Sequence, residues 1–179
     1  PDADYMYIKR VMAWHKPYMF LMNTRYDDFP PPMVERYMQR CLFYGMFPGF
    51  FSHNASSDPY FGNPAWYNRD RHLFVKYMPI IRRVAEAGWE PITLATSDDD
   101  DVWVERFGRD MSEGVYFTVM NLGDAEKAAS ITIQGPEGAT RAPFVEAISG
   151  RQLGRGPALK VSLAPDQVVV LQVGGETSR

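Results

Sequence analysis

Hydrophobic and polar positions follow two rhythms along the 179 residues, and the change falls near residue 90. In the first half, apolar residues recur at helical spacing and are interrupted by short unbroken apolar runs. Asp2 or Asp4 can cap a first helix whose apolar face takes in Tyr5, Ile8, Met12 and Ala13. It ends near Lys16, because the residue before a proline, here Pro17, is pushed out of helical geometry. Tyr18-Met19-Phe20-Leu21-Met22 shows no alternation, the pattern of a strand buried on both faces. After Pro30-Pro31-Pro32 a second helix places Met33, Val34, Tyr37, Met38, Cys41, Leu42 and Gly45 on one side. Glu35, Arg36, Gln39 and Arg40 fall on the other. Pro48-Gly49-Phe50-Phe51 is a second strand, and residues 52–68 form a loop of a length usually reserved for function. A third helix runs from Arg69 to Ala87, with Pro79 inside it expected to kink or restart it. The order helix, strand, helix, strand, helix favours parallel pairing through crossovers.

Beyond residue 100 the period shortens to two. Val102–Phe107, Val115–Met120, Ala129–Ile133, Phe144–Ile148, Leu159–Leu163 and Gln167–Val173 read as successive strands. Turn material separates them at Asn121-Leu122-Gly123-Asp124, Gly135-Pro136-Glu137-Gly138, Ser149-Gly150-Arg151 and Ala164-Pro165-Asp166. This spacing predicts an antiparallel β-sandwich, each sheet with one packed and one solvated face. The expected organisation is therefore α/β over residues 1–90, a linker at 91–101, and all-β over 102–179.

Composition sharpens that division. Of 25 aromatic residues only Trp103, Phe107, Tyr116, Phe117 and Phe144 lie beyond residue 90, and of 10 methionines only Met111 and Met120 do. A net charge of -3 offers no electrostatic case for nucleic acid or an anionic membrane surface as a partner. No apolar run approaches the ~20 residues of a membrane span. With Cys41 as the single cysteine, an internal disulfide is impossible, and its place on the apolar stripe gives it a structural role. No phosphate-binding glycine loop and no His-x-x-x-His pair is present, so no cofactor and no metal is expected. His15 and His72 read as structural helix residues. Asp98-Asp99-Asp100-Asp101 lacks the alternating ligand spacing of a calcium loop and reads as a solvated linker.

The order of parts resembles the C-terminal end of (β/α)8-barrel glycoside hydrolases of the α-amylase and α-galactosidase groups. The matching pieces are Lys16–Asn23 as a seventh strand, Pro48–Ser52 as an eighth, and Arg69–Gly88 as the last helix. Trp103–Phe107 and Tyr116–Asn121 then open a sandwich that closes through Val145–Arg151 and Leu163–Val168. The resemblance implies partial barrel units followed by a β-sandwich, a carbohydrate substrate, and an extracytoplasmic or lysosome-like setting. It also implies that the catalytic carboxylates, carried by the middle strands of such barrels, lie outside these residues. A whole barrel takes about 250 residues, so the remainder is either removed, supplied by another chain, or replaced by a smaller independent fold.

Two loops carry candidate chemistry. Asn23-Thr24-Arg25-Tyr26-Asp27-Asp28 follows the first strand, where a barrel builds its active site. Asp27 and Asp28 are the candidate carboxylates and Arg25 a candidate sugar contact, against the simpler reading of two acids favouring a helix dipole. Ser52-His53-Asn54 follows the second strand, with Asp58, Tyr60 and Trp66 in the long loop. His53, Asn54, Tyr60 and Trp66 suit a sugar, which presents apolar ring faces and polar edges. The alternative is aromatic packing over the core. Two other functions compete with the hydrolase: a non-catalytic carbohydrate-binding or accessory module, and a protein-interaction domain using the aromatic helices.

Overall fold

The computed structural model describes residues 3–14, 16, 18–111, 113–135 and 143–174. His15 and the turn at 136–138 lie outside them. Three helices, α1 (Ala3–Ala13), α2 (Pro31–Phe43) and α3 (Pro64–Ala87), alternate with two strands, β1 (Tyr18–Thr24) and β2 (Met46–His53). Nine further strands follow among the described residues: β3 (Trp89–Glu90), β4 (Ala95–Ser97), β5 (Val102–Phe107), β6 (Val115–Asn121), β7 (Lys127–Ile133), β8 (Pro143–Glu146), β9 (Arg151–Arg155), β10 (Ala158–Leu163) and β11 (Val168–Val173). No described helix is long and apolar enough to cross a membrane.

β1 and β2 form a parallel two-stranded sheet with Tyr18 opposite Met46 and Met22 opposite Phe50. The helix-strand alternation dictates this, since α2 carries the chain back to the starting end before β2 begins. Tyr37 of α2 ties both strands from beneath. Its hydroxyl donates to the Phe20 carbonyl and accepts from the Gly49 amide at 3.1 Å.

Several details differ from the periodic reading. β1 is not buried on both faces: exposure alternates along it, and Met19 and Leu21 stand in solvent. Phe20 and Met22 pack on the core beneath, while Met19 and Leu21, on the other face, are more than half exposed. α1 turns the opposite way from expectation. Met6 and Arg10 are buried, while Tyr5, Ile8 and Met12 face outward, Met12 at 75% exposure. Met6 joins the core on that side, and Arg10 finds polar and aromatic contacts there. The Arg10 guanidinium donates to the Tyr44 carbonyl at 3.3 Å and lies over the Trp89 ring, 5.8 Å from its centre.

The loop expected over 52–68 is shorter. β2 runs to His53, a 3-10 turn occupies Tyr60–Gly62, and α3 begins at Pro64. Asn63 caps that helix by accepting from the Ala65 amide at 3.0 Å, and Pro64 supplies a preset first-turn geometry. Pro79 leaves α3 continuous. The carbonyl that proline deprives of a partner belongs to Val75, a residue on the exposed side of the helix.

The remaining strands make two antiparallel sheets, one in the order β3-β5-β6-β11-β8-β9 and one in the order β10-β7-β4. Residues 91–101, read as a linker, carry β4 paired to β7. β9 was not expected, and β8 stops at Glu146 because that carboxylate accepts the Ile148 and Ser149 amides and turns the chain. The larger sheet is also not solvated on one face. Its inner side meets the small sheet through Phe117, Val119, Ile131, Leu163 and Leu171. Its outer side packs on the helices through Phe107, Met120, Val168 and Val170. Thr118 accordingly donates from inside the sheet to the Phe43 carbonyl of α2, at 2.7 Å.

Two polar attachments fix the helices on this sheet. Arg36 and Arg40 both reach Asp166 at 2.8 Å, and the Val168 amide donates to Gln39 Oε1 at 2.8 Å. The side of α2 read as solvent-facing is therefore partly an internal contact. The four-aspartate run is pinned rather than loose, with Lys127 bridging Asp99 at 3.5 Å and Asp101 at 2.7 Å.

Candidate functional site

Parallel pairing puts the loops after β1 and β2 at one end of the sheet, and side chains sew them together. Asn23 Oδ1 accepts from Ser52 Oγ at 3.0 Å and from the Ala55 amide at 2.9 Å. The Asn54 amide donates to the Thr24 carbonyl at 2.9 Å. Asn54 and Ala55 both adopt positive φ, 49° and 59°, which reverses the chain and lets Ser52 bridge to Pro59. Asn tolerates that geometry better than Ala does.

Beneath the loops sits a buried aromatic stack. The Tyr26 hydroxyl donates to the Met22 carbonyl at 2.8 Å and accepts from the Phe51 amide at 2.9 Å, so one phenol joins both strands. Burial pushes that hydroxyl above its ordinary pKa, opposed by the Phe51 amide. Tyr60 is fully buried, 4.8 Å from the Tyr26 ring, and donates to Asp70 at 2.8 Å. Its pKa is also raised, first by burial and then by its bond to the Asp70 carboxylate. Asp70 is closed off from solvent and neutralised by Arg69, which grips both its oxygens at 2.8 Å and donates to the Tyr26 carbonyl at 3.1 Å.

Above this base, His53 and Trp66 stack with ring centres 5.0 Å apart and planes 9° apart. Asp27 Oδ1 accepts from Trp66 Nε1 at 2.8 Å, and the Tyr26 amide donates to His53 Nδ1 at 3.1 Å. With Nδ1 accepting, the neutral imidazole carries its proton on Nε2, leaving a donor for a ligand.

Asp27, His53 and Trp66 thus meet in one cluster. Asn54 sits exposed at its rim. Arg25 and Asp28 pair with each other at 3.1 Å in solvent. The expectation of Tyr60 as a ligand-facing loop aromatic is corrected, because its ring packs the core under the cluster. Trp66 lies in the first turn of α3 rather than in a loop and is 5% exposed, with His53 stacked on its ring and Asp27 on its Nε1. The open aromatics nearby in sequence are Phe51 and Phe61, at 57% and 60%. Asn23 and Tyr26, in the loop singled out after the first strand, organise the cluster together with the Arg69–Asp70 pair, but no spacing assigns them that bonding role. Only the meeting of two strand ends does so. Among the described residues no group of acids, histidines or cysteine has the arrangement of a metal site.

No protein-family model matches the chain, and no curated protein does. Solved structures do. The chain is similar to α-galactosidase I from Mortierella vinacea at 11% identity, over 80% of this chain and 37% of that one, with a TM-score of 0.52. It is similar to an Anoxybacillus α-amylase at 8% identity, over 97% of this chain and 42% of that one, with a TM-score of 0.55. It also matches AmyP in complex with maltotriose, at 11% identity, 80% and 36% coverage and a TM-score of 0.56. The chain therefore spans about two fifths of these structures, or less. What the likeness defines is the fold: helices and antiparallel sheets arranged as in a fragment of a glycoside hydrolase, its C-terminal part.

Proposed function

We propose that the chain is the C-terminal portion of a (β/α)8-barrel glycoside hydrolase. On this reading β1 and β2 are adjacent barrel strands in residues 1–90, and the two antiparallel sheets are the C-terminal β-sandwich. The loops holding Arg25, Asp27, His53 and Asn54 line one side of a sugar cleft. The catalytic acid and nucleophile or base come from the rest of the barrel, because hydrolysis of a glycosidic bond takes two carboxylates flanking it. Asp27 is committed to the Trp66 indole and Asp28 to Arg25.

The observation that carries this reading is the parallel β1–β2 pair with its two trailing loops bonded together at one end. Barrel enzymes build their sites at the C-terminal ends of their strands. The exposed face with Met19, Leu21 and Phe51 fits a barrel interior whose other strands lie elsewhere. The same exposure also favours a second reading, an interaction domain that docks a protein there.

The test is an assay of nitrophenyl α-glucosides and α-galactosides, and calorimetry with the matching oligosaccharides. It is run on this chain alone and on the chain extended by its upstream coding sequence. Hydrolysis by the extended protein, weakened by His53→Ala, supports the proposal. An upstream region without alternating strands and helices, or an extended protein that neither binds nor cleaves sugars, leaves the interaction reading.

A further inference from the structure

Three segments converge on the His53 imidazole, and each fixes a different degree of freedom. The Tyr26 amide, in the loop after β1, donates to Nδ1 at 3.1 Å and sets the direction of the ring's edge. Trp66, in the first turn of α3, lies against the ring's face, 5.0 Å between centres and 9° between planes, and sets its tilt. Asp27, next to Tyr26, accepts from Trp66 Nε1 at 2.8 Å and sets the indole.

A side chain keeps one geometry only where its supports are themselves held. Here they are. The Tyr26 hydroxyl bonds to Met22 and Phe51 on the two strands, and its carbonyl accepts from Arg69 at 3.1 Å. Trp66 is almost closed off from solvent, its ring 5.3 Å from that of Tyr26. The relay ends at the surface, with His53 half-buried and Asp27 exposed. Beside an exposed residue, water suffices to accept an indole proton. A carboxylate instead makes a stronger, charge-assisted bond from one direction, which is what orientation requires.

We propose that Asp27 is a positioning residue: through Trp66, and with the Tyr26 amide, it holds His53 as a fixed Nε2–H donor for a ligand oxygen. In this tautomer Nδ1 is taken and Nε2 carries the proton, so the neutral ring keeps no free lone pair with which to act as a base. The ligand group it meets is an acceptor, a hydroxyl, ether or carbonyl oxygen.

Taking that oxygen as part of a sugar rests on the proposed function; the hold on His53 does not. Asp27 then stands outside the pair of carboxylates that glycosidic hydrolysis takes, and its contribution lies in the bond it accepts rather than in the charge it carries. Asparagine can make the same bond, since its carbonyl oxygen is also an acceptor, while alanine cannot.

The test is nuclear magnetic resonance on the isotope-labelled 179-residue chain, with the imidazole neutral and His53→Gln used to assign its signals. A long-range imidazole spectrum should show the His53 proton on Nε2, and a scalar coupling should cross the bond from the Tyr26 amide to Nδ1. The stacked indole should displace the carbon-bound ring protons of His53 upfield. Asp27→Ala should remove most of that displacement. Asp27→Asn should keep about half of it or more, because a neutral acceptor makes a bond roughly half as strong as a charged one. Amide spectra matching wild type outside the two loops establish that both variants fold. A proton on Nδ1, a missing coupling, an Ala variant that keeps the displacement, or an Asn variant that loses as much as Ala each refutes the proposal. These signals come from the chain alone, so an extended protein that cleaves no sugar while His53 stays held sinks only the hydrolase reading.

Discussion

The backbone amide of Tyr26 donates to Nδ1 of His53 across 3.1 Å, joining the loop after one strand to the last residue of its parallel neighbour. The two residues lie 27 apart in the chain, and neither position is explained by its own segment. Around this bond the Asn23 and Trp66–Asp27 contacts close the loops into one unit.

Asn23 should be the most sensitive polar residue in that unit. Asn23→Ala leaves Ser52 Oγ and the Ala55 amide without their shared acceptor. Because the Ala55 end is open to water, we expect a loss of about 1–2 kcal/mol. Urea unfolding checks it, and an unchanged midpoint with unchanged slope would show that the cross-link contributes nothing.

Tyr37→Phe should cost more. The hydroxyl is the acceptor for the buried Gly49 amide and the donor to the Phe20 carbonyl, so its removal orphans groups on both strands. An unsatisfied buried donor costs about 1–3 kcal/mol. Selective acceleration of hydrogen exchange in β1 and β2, with β6 and β11 unaffected, is the expected signature.

Stability should fall as pH rises through neutrality. Glu105 is buried against Trp89, whose indole donates to it, and burial raises its carboxyl pKa from 4.5 to about 7. The indole bond and the Arg10 charge oppose that shift without cancelling it. The folded state holds a proton that the unfolded state releases, so the contribution is complete below about pH 4.5 and lost as pH climbs through about 7. Its full size is about 3 kcal/mol. Denaturant titrations from pH 5 to 8 should show the decline, and Glu105→Gln should flatten it.

Asp166 should show two separable effects. It holds Arg36 and Arg40 of α2 at 2.8 Å, and its backbone takes φ +58° in the turn before β11. Asp166→Gly removes the ion pairs and relieves the backbone, while Asp166→Ala removes the pairs and keeps the strain. Ala should therefore be less stable than Gly by about 1 kcal/mol. High salt should narrow the gap between wild type and Gly, because Arg36 is largely exposed.

Gly45 should tolerate no side chain. Its φ is +61°, and a Cβ there would run into the Phe107 ring. Gly45→Ala should destabilise the chain by several kcal/mol, about the scale of core overpacking plus left-handed strain. Thermal melting should register it as the largest drop among these variants.

The residues alone determined a good deal. Helical spacing in α2 and α3, the apolar runs at β1 and β2, and the alternation of β5, β6, β7, β10 and β11 all follow from local pattern, because side-chain period reports backbone geometry directly. The helix-strand order also favoured parallel pairing, the arrangement that brings the Asp27 and His53 loops to one end. Tertiary structure decided what local pattern cannot encode. α1 turns Met6 and Arg10 inward, Arg10 bonding the Tyr44 carbonyl and lying over the Trp89 ring, against the apolar face at Tyr5, Ile8 and Met12. Tyr60 went into the core because Asp70 and Arg69 wait there for its hydroxyl. Which face of a segment is buried depends on what arrives to cover it, and that partner lies far away in sequence.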